Sequence, residues 1–512
     1  MKKIIFFALI FICSIPLCLA ENLTQDKTIK VEVGQNFTIT LEANATTGYE
    51  WQFAKPLDEN SFKLISSEYV ADETNRIGAG GRQIWILKAL KAGETVISFK
   101  YVRPWEKDTP PAKEESFLIN VTGAEITSSS IKPEFSEILK SEWQAYKSDK
   151  PNFTGGLAMQ ILSPKGDYFI ATDMGDNVTN AHHFRIASVT KTFTAAGIML
   201  LNQRGALNID DKITDNIPGK GVAYIPDTPD YDIPYKNDIT IRMLLMHRAG
   251  IFDITNNNIP DNEFSHNQPY VGQSYLDYME EKDKNHTFTF DELVGVNASN
   301  QLSFFKPGTA YHYSDTGYSM LGKIIERVSG KSYADFIKDE LLVPNGLLDT
   351  TLPAAGADQA LPEPFIKGYV WMAGESEEVT KSNMSPHVAE GNIATTSKDL
   401  IAWCKKLFHG EAGLTRETID MMEAGIKKDG SPDSSYGLGI SYAVGAGYGH
   451  AGAHEGYLTL MYYNPDTDTS YVMLTNMWNV ENGLESITAE IKAMIAIANK
   501  ILKKMETDTV RK

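Results

Sequence analysis

The sequence FRIASVTKTFTA occupies residues 184–195 and leads into a helical pattern that continues through Met199 and Leu200. Residues three positions apart share one face of a helix, so the hydroxyl of Ser188 and the amine of Lys191 are expected to lie side by side. The start of a helix favours negative charge on the serine oxygen. A serine nucleophile also needs a neighbouring base, which a lysine of lowered pKa can supply. The stretch therefore predicts a reactive serine where a helix begins.

A Ser-x-x-Lys spacing by itself is equally compatible with a buried helix serine beside a lysine that extends to solvent. A second copy, formed by Ser129 and Lys132, stands in a small, polar segment just before Pro133. That copy is expected to be solvated and inert. The four residues alone leave both interpretations open.

Two other stretches follow Ser188 in a fixed order. Residues 307–318 read PGTAYHYSDTGY and precede an apolar helical pattern, and residues 449–457 read GHAGAHEGY and precede a strand-like run. Together with Ser188 and Lys191, they resemble the three motifs of the serine β-lactamase and penicillin-recognising hydrolase family. The resemblance is nearest to the class C and D-alanyl-D-alanine carboxypeptidase/esterase branch of that family.

The resemblance implies a fold. Residues 132–507 are expected to form an α/β domain of the β-lactamase/transpeptidase type, in which helices flank an antiparallel sheet and a helical subdomain adds to one side. Shorter segments that match the family stand at 244–250, 391–395 and 436–439. The motif order and spacing agree with the family through most of this region.

The resemblance also implies catalytic roles. Ser188 would be the acylated nucleophile, and Lys191 and Tyr313 would share general-base and general-acid work. The backbone N–H groups of Ser188 and Ala453 would form the oxyanion hole, for which no particular side chain is needed. The implied reaction is acyl transfer to serine followed by hydrolysis, and it requires no cofactor and no metal ion.

Three further positions are implied to bind substrate, namely Asp315, His450 and Gly452. His450 would line the opposite wall and help bind the polar end of the substrate. Asp315 departs from the family pattern, which usually has Asn there. An ionised Asp315 would pair with Lys191, hold it protonated and repel substrates that carry a carboxylate; alternatively, Asp315 is protonated or turned to the backbone. We expect hydrolysis of an ester, amide or peptide, with weak or absent β-lactamase activity.

Residues 27–122 show short alternating strand patterns separated by turn residues, which favours a β-sandwich. Three loop sequences, at 44–51, 78–81 and 103–106, resemble those of the chagasin-type cysteine-protease inhibitors, which have an immunoglobulin-like fold. The first loop has Ala45 where that family usually has proline. The resemblance implies a papain-like cysteine protease as partner, contacted by Thr46, Thr47, Gly48, Gly80, Gly81, Arg103, Pro104 and Trp105.

The chain has 512 residues and a net charge of −18, which argues against a general binder of nucleic acid or of anionic membranes. Lys2 and Lys3 precede an apolar run that ends at Ala20, as in a secretory signal peptide, so a secreted or periplasmic protein is expected. After residue 20, the sequence contains no run of about 18 apolar residues, so no membrane span is predicted. Cys404 lies in a helical pattern and is expected to be a buried thiol.

These observations predict a multidomain protein with a signal peptide at 1–20, a chagasin-like domain at 21–123, a linker at 124–131 and a hydrolase domain at 132–507. The expected function is that of a secreted serine hydrolase fused to a cysteine-protease inhibitor. The alternative is a non-catalytic binding protein whose main activity is cysteine-protease inhibition. Because Ser188, Lys191 and Tyr313 are all chemically competent, the enzyme is favoured.

Overall fold

The computed structural model describes residues 28–32, 35–58, 61–71, 80–90, 93–106, 109–122, 133–175, 177–431 and 434–507. The expected signal peptide, the linker at 124–131, the second Ser-x-x-Lys copy and the loop residues 78 and 79 lie outside this part of the chain. The chain divides into two compact units, Met1–Thr127 and Ser128–Lys512.

The described part of the first unit contains seven strands in two sheets. They are β1 (Thr28–Glu32), β2 (Asn36–Ala43), β3 (Glu50–Phe53), β4 (Phe62–Ala71), β5 (Gly81–Ala89), β6 (Gly93–Val102) and β7 (Lys113–Thr122). One sheet has the order β1-β7-β6-β3 and the other the order β2-β5-β4. The parallel pairing of β1 with β7 is the exception, since the other pairs are antiparallel.

The two sheets share one core. Along β2, buried and more exposed residues alternate, as the two-residue period of a strand requires when one face is covered. Aromatic rings fill the space between the sheets: the ring centroid of Phe99 lies 4.4 Å from that of Trp85 and 4.9 Å from that of Phe53. This arrangement is the immunoglobulin-like sandwich that the sequence predicted.

The second unit is built on a six-stranded antiparallel sheet with the order β14-β15-β16-β17-β8-β9. Two smaller sheets have the orders β10-β13 and β12-β11-β18. The strands are β8 (Leu157–Ser163), β9 (Gly166–Thr172), β10 (His183–Arg185), β11 (Tyr369–Met372), β12 (Glu375–Glu378), β13 (Ala394–Thr396), β14 (Ser441–Ala443), β15 (Gly447–His454), β16 (Tyr457–Asn464), β17 (Thr469–Thr475) and β18 (Met477–Asn479).

Helices make up much of the rest of this unit. They are α1 (Pro133–Lys147), α2 (Thr190–Gln203), α3 (Ile241–Leu245), α4 (Tyr275–Lys282), α5 (Phe290–Ser299), α6 (Asp315–Ser329), α7 (Tyr333–Ile337), α8 (Val343–Asn345), α9 (Ser397–His409), α10 (Arg416–Glu423) and α11 (Leu484–Thr507). Cys404 lies on α9 and is buried, as expected. In the described residues, we find no helix whose length and hydropathy would suit it to cross a membrane.

Both faces of the central sheet are covered. Successive residues of β17 point to opposite faces, and all of them are buried. Tyr471 and Met473 pack in the cluster that holds the apolar faces of α1 and α11. Val472 and Leu474 pack in the larger cluster that holds α2, α6 and α9. The helical subdomain has a separate small core, to which α4 and α5 contribute buried residues. The nucleophile segment is thereby fixed between the sheet and the helices.

Candidate active site

Ser188 lies in a short 3₁₀ turn, Ala187–Val189, that continues directly into α2. Ala187 has a φ of +50°, a left-handed conformation that is rare for a residue with a Cβ atom and is typical of functional sites. Ser188 is only partly buried, whereas both of its neighbours in the turn are buried. The turn therefore presents the serine hydroxyl at the amino end of a helix, where the helix dipole favours an anion.

Lys191 is fully buried on the first turn of α2, and its ammonium group has three side chains around it. Its Nζ donates to Ser188 Oγ at 3.1 Å and to the main-chain oxygen of Glu390 at 2.9 Å. It also forms ion pairs with Asp315 Oδ1 at 2.6 Å and with Glu390 Oε2 at 3.1 Å. Burial alone would lower the pKa of Lys191, but the Asp315 and Glu390 carboxylates raise it well above its usual value. In the resting site, Lys191 is a cation.

Asp315 is the first residue of α6, where the helix dipole stabilises a negative charge. Its second oxygen accepts hydrogen bonds from Asn256 Nδ2 at 2.7 Å and from Thr255 Oγ1 at 3.3 Å. Burial would raise the pKa of Asp315, but the Lys191 charge and the hydrogen bonds from Lys191 and Asn256 hold it below its usual value. Of the two alternatives for this residue, the structure therefore favours the ionised carboxylate paired with Lys191.

Tyr313 stands just before α6, and the Lys191 Nζ lies 4.9 Å from the centre of its ring. The His247 ring packs against it at 4.1 Å between centroids. The Tyr313 hydroxyl is buried, and Lys191 and Ser188 are close enough to influence it, although no hydrogen bond of ordinary geometry joins it to the described residues. Burial raises the pKa of Tyr313 well above its usual value, against the opposing effect of the Lys191 charge. Tyr313 is therefore a neutral phenol beside the ammonium group.

The third motif lies on β15. Gly452 faces the nucleophile turn so closely that a Cβ atom at 452 would lie 2.2 Å from the Ile186 oxygen and 3.0 Å from the Ser188 nitrogen. Ala453, the next residue, is exposed. The close approach brings the backbone of β15 against the backbone of Ser188, which is the arrangement that two N–H groups of an oxyanion hole require.

His450 is buried on β15, and both of its ring nitrogens have partners. Its Nδ1 donates to the Ala451 main-chain oxygen at 2.5 Å, and its Nε2 lies 2.9 Å from the Tyr436 hydroxyl. Burial and the Lys191 charge lower the pKa of His450 to about 3. At neutral pH, His450 is an uncharged part of the wall and offers no positive charge to a substrate carboxylate.

Three acidic or basic groups of the site were not found from the sequence. Glu390 contacts Lys191, His387 contacts Glu390, and Asp253 lies near Asp315. Burial and the Asp315 charge raise the pKa of Asp253 to about 7. One signal was present, because Glu390 immediately precedes the matching segment 391–395. Within the described residues, no group of three or more His, Cys, Asp or Glu side chains is arranged to hold a metal ion.

The loops of the first unit meet at one end of the sandwich, around a cleft of about 660 Å³. Arg103 lies 4.5 Å above the Tyr49 ring and donates to the Thr47 main-chain oxygen at 3.3 Å. It also pairs with Glu106 at 3.1 Å. The cleft is lined by Glu42, Ala43, Asn44, Thr47, Tyr49, Gly80, Gly81, Arg82, Tyr101, Arg103 and Lys113.

Gly48 of the first loop and Trp105 of the third loop contact each other at the loop end of the sandwich. Gly48 has a φ of +77°, and a Cβ atom there would lie 2.5 Å from the Trp105 ring, so the ring rests directly on the glycine. Trp105 nevertheless remains 67% exposed. Thr46 and Thr47 both bond to Asn44 at 2.6 Å and close the first loop. In the second loop, Gly81 was expected to lie in the turn, but it is the first residue of β5.

Residues 168–491, well over half of the chain, match the model of the beta-lactamase family. The chain belongs to the beta-lactamase family. Residues 30–121 match a second model, that of the chagasin family peptidase inhibitor I42. These matches confirm the two predicted family memberships and the predicted fold class.

Two curated relatives illustrate the breadth of the beta-lactamase family. Penicillin-binding protein 4* of Bacillus subtilis (strain 168) is 26% identical over 306 residues, which cover 57% of this chain and 60% of that protein. Penicillin-binding protein 4 of Amycolatopsis lactamdurans is 27% identical over 319 residues, which cover 59% of this chain and 74% of that protein. The chain thus spans only about 60% of the length of the first relative.

A solved structure with the beta-lactamase family fold is that of D-amino acid amidase from Ochrobactrum anthropi SV3 in complex with L-phenylalanine. It is 21% identical, with a TM-score of 0.57 over 74% of this chain and 100% of that chain. At this identity, the likeness establishes the fold alone.

Proposed function

We propose that the chain is a secreted serine hydrolase that forms an acyl-enzyme at Ser188 and acts on an ester, an amide or a peptide. The main support for the proposal is the 3.1 Å contact between Ser188 Oγ and Lys191 Nζ at the amino end of α2. Tyr313 adds a buried phenol beside the same ammonium group. A nucleophile, an amine and a phenol within one small site are the groups that serine acylation needs.

Acylation begins when Ser188 Oγ attacks the carbonyl carbon of the substrate. Lys191 must first release one proton to solvent, after which the Lys191 and Tyr313 pair can accept the hydroxyl proton of Ser188. The carbonyl oxygen becomes an oxyanion held by the N–H groups of Ser188 and Ala453. Collapse of this intermediate breaks the bond to the leaving group, which takes up the proton. Water then attacks the ester carbonyl in the same way and releases the acid, and Ser188 Oγ regains its proton.

The charges of the site select among acyl substrates. Asp315 is ionised, and His450 is neutral at neutral pH, so neither side chain attracts a carboxylate. Penicillins and peptides that end in a free carboxylate near the scissile bond are therefore disfavoured. Neutral esters and amides meet no such opposition, and β-lactam hydrolysis is weak or absent.

Labelling by a fluorophosphonate tests the enzymatic function. The wild-type chain should take up the label, and Ser188→Ala should not. Ser129→Ala is the matched control, because Ser129 begins the second Ser-x-x-Lys copy, and it should label like wild type. Equal labelling of wild type and Ser188→Ala, or none of wild type, would favour the alternative of a non-catalytic binding protein.

The first unit supports a second activity, inhibition of a papain-like cysteine protease. The supporting observations are the match of residues 30–121 to the inhibitor family and the meeting of the loops around one cleft. Trp105 and Tyr49 offer rigid aromatic surface, and Gly48 allows close approach of the backbone. Titration of papain with the full-length Ser188→Ala chain tests this activity without interference from the hydrolase.

Export from the cytoplasm completes the proposal. It is supported by the charged and apolar pattern of residues 1–20. Fractionation of cells that express the chain with an epitope after Lys512 should find a shortened protein outside the cytoplasm. A full-length protein in the cytoplasm would contradict export.

A further inference from the structure

Glu390 connects the two basic groups of the site. Its side chain is 3% exposed. Its Oε2 lies 3.1 Å from Lys191 Nζ, and its Oε1 accepts a hydrogen bond from His387 Nδ1 at 2.5 Å. The main-chain oxygen of the same residue accepts a second bond from Lys191 at 2.9 Å. A single residue thus fixes the lysine by both its backbone and its side chain.

The backbone around Glu390 is tightly constrained. Ala389 has a φ of +70°, a strained conformation for a residue with a Cβ atom. Its main-chain oxygen accepts a hydrogen bond from Thr194 Oγ1 at 2.5 Å. The amides of Glu390 and Gly391 both donate to the His387 main-chain oxygen, at 3.1 and 2.8 Å. These contacts hold the carboxylate in place, and the strain is of the kind that functional sites retain.

The charge on Glu390 acts directly on the base. Lys191 must lose a proton before it can accept one from Ser188, and each carboxylate beside it opposes that loss. When its imidazole is protonated, His387 opposes Glu390 in turn, because the positive charge then lies 2.5 Å from the carboxylate. The carboxylate of Glu390 raises the pKa of His387, against the effect of burial.

Other charged and titratable groups face this pair from several elements. Those that act on His387, besides Glu390, are Asp315 on α6, Lys191 on α2, Glu280 on α4, His454 on β15 and Glu455 in the turn that follows. Those that act on or respond to Lys191 include Asp315, Glu390, Tyr313, His247, His450, His387, Tyr318 and Tyr333. Asp253 responds to Asp315 and Glu390.

We propose that Glu390 is a positioning residue that sets the proton affinity of Lys191. We propose further that His387 modulates this proton affinity through its contact with Glu390. The inference rests on the proposed function of Ser188 as the nucleophile. Removal of the Glu390 charge should make Lys191 easier to deprotonate, whereas removal of the His387 charge should make it harder. The two changes should therefore move the pH dependence of serine reactivity in opposite directions.

The test is the rate at which a small alkyl fluorophosphonate labels Ser188 of the full chain, followed by intact mass from about pH 6 to about pH 10. In Glu390→Gln the rising limb should move to lower pH by about one to three units relative to wild type. In His387→Gln it should move to higher pH in the part of the range in which the wild-type imidazole is protonated. Glu292→Gln is the matched control, because Glu292 pairs with His286 at 2.8 Å elsewhere in the unit, and its profile should match wild type.

Three outcomes are distinguishable. A wild-type chain that is never labelled at Ser188 overturns the proposed function. Labelling of Glu390→Gln with the wild-type pH dependence, even at a reduced rate, overturns the inference and leaves the proposed function intact. If Glu390→Gln fails to fold, as judged by circular dichroism, His387→Gln decides: an unmoved limb or a shift to lower pH overturns the inference.

Discussion

Lys191 Nζ lies 2.6 Å from Asp315 Oδ1, and both side chains are buried. The ion pair opposes two steps at once. It holds the proton on the amine that would activate Ser188, and in the proposed substrate site its carboxylate would oppose substrates that carry a carboxylate. The pair is therefore the main structural reason to expect an acyl hydrolase that handles penicillins poorly.

Asp315→Asn should relieve both effects. Loss of one neighbouring carboxylate lowers the pKa of Lys191 by about one unit or more, so labelling by a neutral fluorophosphonate at neutral pH should rise about tenfold or more. Labelling by a fluorescent penicillin should rise further, because the anionic probe also escapes repulsion. Asp339→Asn, which breaks a surface ion pair with Lys331 at 2.9 Å, serves as the control and should change neither rate. Unchanged penicillin labelling in Asp315→Asn would count against this explanation.

Gly452→Ala should disable acylation. The new Cβ atom would lie 2.2 Å from the Ile186 oxygen, so β15 must move away from the nucleophile turn. Loss of one oxyanion donor costs about 10²–10³-fold in rate. Gly317→Ala on α6 is the control, because its Cβ atom would lie 3.8 Å from the nearest atom, Cδ2 of Leu244, which is an ordinary van der Waals distance. Ester turnover and the melting temperature should be measured together. Near-wild-type turnover in Gly452→Ala would show that Ala453 contributes no oxyanion contact.

Buried Glu490 should make stability depend on pH. Burial raises its pKa from 4.5 to about 8. The fold prefers the neutral carboxyl, so its stabilising contribution is complete below pH 4.5 and is lost as the pH rises through about 8. The difference is on the order of a few kcal/mol. Glu490→Gln should melt at a higher temperature than wild type at about pH 9, with little difference at about pH 4. Glu485→Gln, at an exposed position of α11, should follow the wild-type curve.

Trp105→Ala should weaken protease inhibition without unfolding the sandwich. The side chain is 67% exposed and rests on Gly48 at the tip of the loops. Exposed aromatic anchors typically contribute about 2 kcal/mol or more to binding, or roughly 30-fold in the inhibition constant. Val96→Ala is the control, because Val96 is 47% exposed but lies within strand β6 and not in a loop. Equal inhibition of papain by wild type and Trp105→Ala would remove Trp105 from the binding surface.

The sequence predicted local features best. Ser188 and Lys191 are three residues apart, so their proximity follows from helical geometry alone. The hairpin around residues 163–166 and the helix that carries Cys404 follow from equally local patterns. Tyr313, His450 and Ala453 are more than a hundred residues from Ser188, and only the family resemblance connected them with it.

The electrostatic environment of the site lay beyond the sequence. Glu390 is 199 positions from Lys191, and only the tertiary fold brings its side chain to the lysine. Its position just before the matching segment 391–395 was its one sequence signal, and that signal says nothing about its burial or its contact with Lys191. The neutrality of His450 likewise depends on burial and on the charge of Lys191, both of which arise from tertiary packing. Charges of buried groups depend on packing, which residue type and spacing do not reveal.

The most direct test of the whole account is the covalent intermediate. The full chain is mixed with p-nitrophenyl acetate and followed by time-resolved intact mass and peptide mapping. We predict a transient acetyl adduct on the peptide that contains Ser188, absent from Ser188→Ala and formed while nitrophenol is released. Release of nitrophenol at equal rates from both proteins, with no adduct at Ser188, would contradict it.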